Sequence, residues 1–215
     1  MKVSAVAFVL CLLALSAQAA TMQSVYTGTI LYSTDMTGLF GPSQDGMAFS
    51  LTTIYDTARG QTISDPVNPI PGGSVELQGG SATGFSDPYL SAVLAINGQS
   101  YGFGPARSAS VTVSNLGAGF RQSVDLSQFD AASGISTVIR FGTLLADQIG
   151  LFPSDLTSPF TWTRGAFGAS FGSGDYFISA YDTVNQRYLF NTSGYLSVEA
   201  LTVTQVQPAP VPLPA

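Results

Sequence analysis

The sequence predicts an all-β chain: one β-sandwich or jelly-roll-like domain of about ten antiparallel strands. Three observations carry this. Short runs rich in Val, Ile, Thr, Tyr and Phe recur along the chain, several alternating with a two-residue period. Clusters of glycine and proline punctuate the runs, at 66–73, Gly79-Gly80, Asn97-Gly98, Gly117 and 172–174. No stretch of the domain keeps a helical apolar period for more than one or two turns.

The elements follow in order. Met1-Lys2 is a short cationic start, Val3 to Leu15 is apolar apart from Ser4, and Ala17-Gln18-Ala19 offers small residues at a cleavage site. This reads as a secretory signal helix, too short and wrongly flanked for a membrane span, with cleavage between Ala19 and Ala20. Cys11 lies inside the apolar run, where a lipoprotein cysteine would not. The domain is expected over 20–206. Its strands are expected at 24–32, 48–55, 75–77 (a short edge), 89–97 (buried on both faces), 109–114, 120–126, 136–144, 161–164, 175–181, 186–190 and 195–204. Asn97-Gly98 predicts a type I′ hairpin turn, because both central residues of that turn need positive φ. The best helical candidate is 143–150, where Leu144, Leu145 and Ile149 could share a face. Residues 207–215 carry four prolines and predict an extended, polyproline-like tail.

One internal echo stands out. Gly46-x-x-Phe49 leads to Tyr55-Asp56-Thr57, and Gly174-x-x-Phe177 leads to Tyr181-Asp182-Thr183. In each unit Phe and Tyr are an even number apart and share a strand face. The aspartate that follows can cap the turn.

Composition excludes much chemistry. The chain has no His; its single Cys (Cys11) and its only Lys (Lys2) fall within the signal. The remaining cations are Arg59, Arg107, Arg121, Arg140, Arg164 and Arg187, and the formal net charge of the whole chain is −6. A domain without cysteine has no disulfide and must rest on its core. Zinc, haem and iron–sulfur sites lack their usual ligands, and histidine-based triads lack their base. An acidic chain with scattered arginines has no basic patch for nucleic acid. Charged residues make up 9% of the chain, against about 25% in ordinary globular proteins. The surface is therefore expected to be uncharged and rich in hydroxyls.

Val211-Pro212-Leu213-Pro214-Ala215 resembles the start of the PEP-CTERM sorting signal of exported Gram-negative bacterial proteins. Gly28-Thr29, Asp35-x-Thr37-Gly38-Leu39-Phe40-Gly41, Gly46-x-x-Phe49 and Tyr55-Asp56-Thr57 are similar to the N-terminal part of such proteins. Ser193-Gly194-Tyr195-Leu196-Ser197-Val198 resembles the last strand before their tail. In that family the pentapeptide leads into an apolar membrane segment and an arginine cluster, and neither follows Ala215 in this sequence. The resemblance implies export to the cell envelope or beyond, handling by a sorting machinery where the full tail exists, and an association with exopolysaccharide. It implies no particular activity.

Few candidate sites stand out against that background. Gly168-Ala169-Ser170-Phe171-Gly172 matches a nucleophile-elbow pattern, but that motif needs a strand-to-helix turn and a histidine; it reads as a glycine-rich loop. Paired carboxylates could hydrolyse glycosides without histidine, yet most aspartates sit in turn contexts: Asp35, Asp45, Asp56, Asp65, Asp87 and Asp182. Calcium is the one metal this composition suits, the turn 172–175 being its weak candidate; otherwise no cofactor is expected. Sugar stacking is the remaining possibility, with Trp162, Tyr176 and Tyr188 as rings and Asn185 and Arg187 as polar partners. Three readings stay open: a non-enzymatic structural or interaction protein of an exopolysaccharide matrix, whose partners are polysaccharide or other envelope proteins; a carbohydrate-binding module; and a histidine-free glycan-active enzyme. The first is the one expected.

Overall fold

The computed structural model describes residues 20–41, 43–65, 74–104, 106, 108–114, 119–146, 152–165 and 170–206. Residues 1–19, where a signal helix is expected, and 207–215, where a polyproline-like tail is expected, lie outside them. Strands dominate, and no helix occurs among the described residues. In chain order they are β1 (Thr21–Asp35), β2 (Ala48–Asp56), β3 (Gln61–Asp65), β4 (Ser74–Gly79), β5 (Tyr89–Ile96) and β6 (Gln99–Phe103), then β7 (Ser108–Ser114), β8 (Gly119–Asp130), β9 (Ile135–Ala146), β10 (Phe160–Thr163), β11 (Phe171–Asp182) and β12 (Arg187–Gln205).

All twelve belong to one antiparallel sheet, ordered β3-β4-β7-β8-β9-β11-β12-β1-β2-β5-β6, with β10 paired to β12 beyond the end of β11. This corrects the sandwich or jelly-roll expectation: there is one continuous sheet, curled into a half-barrel. The curl follows from distance. β2 and β8 are five steps apart in the sheet, which in a flat sheet would separate them by about 24 Å. Yet the Thr53 hydroxyl on β2 donates to Gln122 Oε1 on β8 at 3.0 Å. Phe141 of β9 likewise meets Tyr89 of β5 edge-on at 6.2 Å and Phe103 of β6 at 5.1 Å.

Strict alternation builds the interior. Met22, Ser24, Tyr26, Gly28 and Ile30 of β1 point inward, as do Phe49, Leu51, Thr53 and Tyr55 of β2. The apolar ones among them join Leu94, Phe120, Val124, Phe141, Ile178 and Val198 in one hydrophobic core. Glycines make room where rings cross the interior. A Cβ on Gly194 would sit 2.6 Å from the Tyr176 ring, and one on Gly172 would sit 2.7 Å from the Trp162 ring.

Several expectations change. β3 was not foreseen, and it makes β4 an inner strand. β5 is buried on one face only, leaving Leu90 and Val93 exposed, because the outer face of a single curled sheet has no second layer. Residues 187–205 form one strand where two were expected. Residues 143–146 finish β9 as strand, and 147–150 lie outside the described residues. Residues 172–174 lie within β11 and form no turn. The Asn97-Gly98 turn holds, with φ of 52° and 75°. The echo holds only in part. Asp56 and Asp182 both cap their turns, but Phe49 and Tyr55 face inward whereas Phe177 and Tyr181 face outward.

Candidate functional site

The residues expected to stack on sugar do not form one surface. Trp162 is 5% exposed and Tyr176 is 1% exposed. Both sit at inward positions, Trp162 opposite Leu201 and Tyr176 opposite Gly194. The Tyr176 hydroxyl makes a very short hydrogen bond to Gln44 Oε1, and its ring meets Phe40 edge-on at 6.1 Å. These two rings belong to the core, which aromatic residues on an inward strand face normally fill. Asn185, Arg187 and Tyr188 are exposed at the β11–β12 hairpin. There the Asn185 backbone N–H and side-chain amide donate to the two oxygens of Asp182 at 2.9 and 2.7 Å. Tyr188 packs edge-on against Tyr181 at 5.0 Å.

The aspartates are mostly caps, as their turn contexts predict. Asp35 accepts from the backbone N–H groups of Thr37, Gly38 and Phe40 and from the Gln44 amide, at 2.7–3.1 Å. Partial desolvation pushes its carboxyl up, but the donors of Phe40, Thr37 and Gly38 outweigh that and hold it below the usual range. Asp87 accepts from Tyr89 N and Ala106 N. Asp45 departs from the pattern: it binds Ser33 on β1 rather than its own turn. No group of three or more metal-ligating side chains occurs among the described residues. The proposed calcium stretch 172–175 is extended strand.

A different cluster lies on the outer face. β-Register aligns Ser123, Gly142, Asp175, Tyr195 and Tyr32 in one row across β8, β9, β11, β12 and β1. The next row holds Arg121, Leu144, Ser173 and Ser197. Tyr32 reaches this face through a bulge. β1 points its even-numbered residues inward as far as Ile30, but the register shift between Ile30 and Tyr32 inserts Leu31 and turns Tyr32 outward, opposite Tyr195. The two rings then stack with centroids 4.5 Å apart and planes 29° apart. They are 55% and 52% exposed.

Gly142 contributes no side chain to its row, and beside it the surface sinks. The depression holds about 350 Å³ and is lined in part by Leu31, Arg121, Leu144, Ser173, Asp175 and Tyr195. Desolvation against the sheet raises the Asp175 carboxyl above its ordinary value, and the Arg121 charge pulls the other way. The two are not paired: the one ion pair among the described residues is Arg140–Asp125, at 2.6 Å in the neighbouring row. Arg121 and Asp175 therefore flank the depression with hydrogen-bonding capacity to spare. The sequence carried Tyr195 as one of several aromatics in the last third of the chain, but it held no sign of the bulge that brings Tyr32 beside it. The chain matches no protein-family model, no curated protein and no solved structure.

Proposed function

We propose that this is an exported, non-catalytic protein of the PEP-CTERM type that holds exopolysaccharide in the cell envelope or extracellular matrix through the outer face of its half-barrel. One observation carries the reading: the exposed Tyr32–Tyr195 stack borders a depression in which Arg121, Asp175 and Ser173 stand beside the apolar Leu31 and Leu144. A pyranose presents weakly positive C–H groups on its faces and hydroxyls at its rim. An aromatic face attracts the first, and a few placed polar groups orient the second. The open face of Tyr195 and the row beside it supply both.

Separation speaks against catalysis. Among the strand carboxylates of this face, Asp125 is held by Arg140 and Glu199 accepts from Thr29, which leaves Glu76 on β4, four strand steps from Asp175. That spacing is about 19 Å along the sheet, whereas glycosidase carboxylates stand about 5–9.5 Å apart. A binding role needs no such pair.

The test is a glycan-array screen of the purified protein, with and without millimolar calcium. Binding to a polysaccharide that Y195A and Y32A abolish and Y188A leaves intact is the expected result. Absence of binding to every glycan in both conditions overturns the reading.

A further inference from the structure

The depression beside Tyr195 is one segment of a longer groove. A second hollow of about 580 Å³ shares Arg121 and Leu144 with the first, and adds Glu76, Thr112, Ser110 and Ser123. A third, of about 220 Å³, shares Glu76, Ser110 and Ser123 with the second and adds Gln78 and Ser108. Together they cross β4, β7, β8, β9, β11, β12 and β1, which are consecutive in the sheet. Six strand steps give the groove a contour of about 29 Å, followed across the strands around the outer curve of the sheet.

Its lining combines hydroxyls, apolar surface and a few charges. Ser110, Thr112, Ser123 and Ser173 bring hydroxyls that both donate and accept, and the first and third of these already bond each other at 2.9 Å. Leu144 and Tyr195 supply apolar surface. The charged groups are Arg121, Asp175 and Glu76, one cation against two anions, in a chain of formal net charge −6. Such a groove repels uronate-rich or sulfated polymers and accepts neutral ones.

We infer that the groove grips the interior of a long, neutral polysaccharide chain that follows the outer curve across the strands, with Leu31 and Tyr195 at one end and Glu76 at the other. This rests on the glycan-binding reading above and adds the shape and charge of the ligand. A pyranose unit in an extended chain is about as long as one strand step of ~4.8 Å, so the groove spans about six units.

The probes are β-1,4-linked glucose oligomers from dimer to octamer, with matched galacturonate oligomers, titrated calorimetrically into the purified protein. Affinity for the neutral series is expected to rise with length up to about the hexamer, which binds at least about tenfold tighter than the dimer, while the galacturonates bind more weakly at every length. Thr112→Trp, which plugs the groove between Glu76 and Arg121, should reduce the hexamer to the affinity of the trimer. Ser110→Trp repeats the plug at a neighbouring position, and an unchanged urea midpoint checks the fold of each variant. Glucan affinity that is flat with length, or indifferent to both plugs, overturns the long-chain inference and leaves a single-unit site at Tyr195. Tighter binding of the galacturonates overturns its neutral character. If neither these oligomers nor the array glycans bind, the inference falls together with the function on which it rests.

Discussion

Trp162 is the only tryptophan in the chain, so its replacement separates a core residue from a sugar platform. The ring lies at an inward position of β10, opposite Leu201, with its edge over Gly172. A buried indole removes about 200 Å² from water; at about 25 cal/mol per Å² that is worth about 5 kcal/mol as an upper figure. Large-to-small core replacements of this kind cost about 3–5 kcal/mol. Trp162→Ala should therefore destabilise the protein by about 4 kcal/mol. With a urea m-value of about 2 kcal/mol/M, the unfolding midpoint falls by about 2 M. Trp162→Phe keeps most of the ring volume and should cost less than half as much. The same residue supplies an independent readout: its fluorescence in the native protein should be blue-shifted and shielded from iodide, moving to the red on unfolding. Iodide-accessible emission from the native state, or a Trp162→Ala midpoint within about 0.5 M of the parent, would refute the inward placement of β10.

Three further outcomes follow from the geometry. Asp35→Asn keeps the shape of the cap but weakens bonds from three backbone N–H groups to a charged acceptor, and should cost about 1–2 kcal/mol at pH 7. Because the folded-state carboxyl is held below its unfolded value of about 3.9, this stabilisation is present above that pH and is lost as pH falls through the folded value. The difference between parent and variant in urea melts should therefore shrink below about pH 4; a constant difference down to pH 2 would contradict the cap. Gly28→Ala places a Cβ 2.0 Å from the Ser197 carbonyl oxygen, where a carbon–oxygen contact needs about 3.3 Å. That atom belongs to the β1–β12 ladder and cannot rotate away, so a loss of about 3 kcal/mol or more is expected. Gly142→Ala meets only the movable Asp175 carboxylate, at 3.3 Å, and should be nearly silent in the same urea melts.

Local rules made part of the fold legible. The β-branched and aromatic run 24–32 marked one strand, and the alternation in Phe49–Tyr55 marked another and told which of its residues share a face. Asn97-Gly98 marked its turn, and aspartates after Tyr55 and Tyr181 marked theirs. These signals are short-range, because a turn or a period is set by neighbours along the chain. β3 escaped notice because Gln61–Asp65 holds a single apolar residue, Ile63, and becomes a strand only by pairing with β4. The candidate site escaped for a similar reason. Tyr32 shares parity with Tyr26 and Ile30, so the sequence alone puts it in the core; one extra residue, accommodated against β12, puts it outside.

The sequence by itself determined that this chain is all-β, where several of its turns fall, and which chemistries its residue types cannot perform, since these depend on local conformational preference and on composition. Tertiary structure alone decided that the strands form one curled sheet rather than two packed ones, that Trp162 and Tyr176 serve the core, and that Tyr32, Tyr195, Asp175 and Arg121 meet on the outer face. The physical reason is that a period of two fixes the relation between residues within a strand. Which face becomes the interior, and where a bulge reverses it, is settled only by pairing between strands as distant in sequence as β1 and β12.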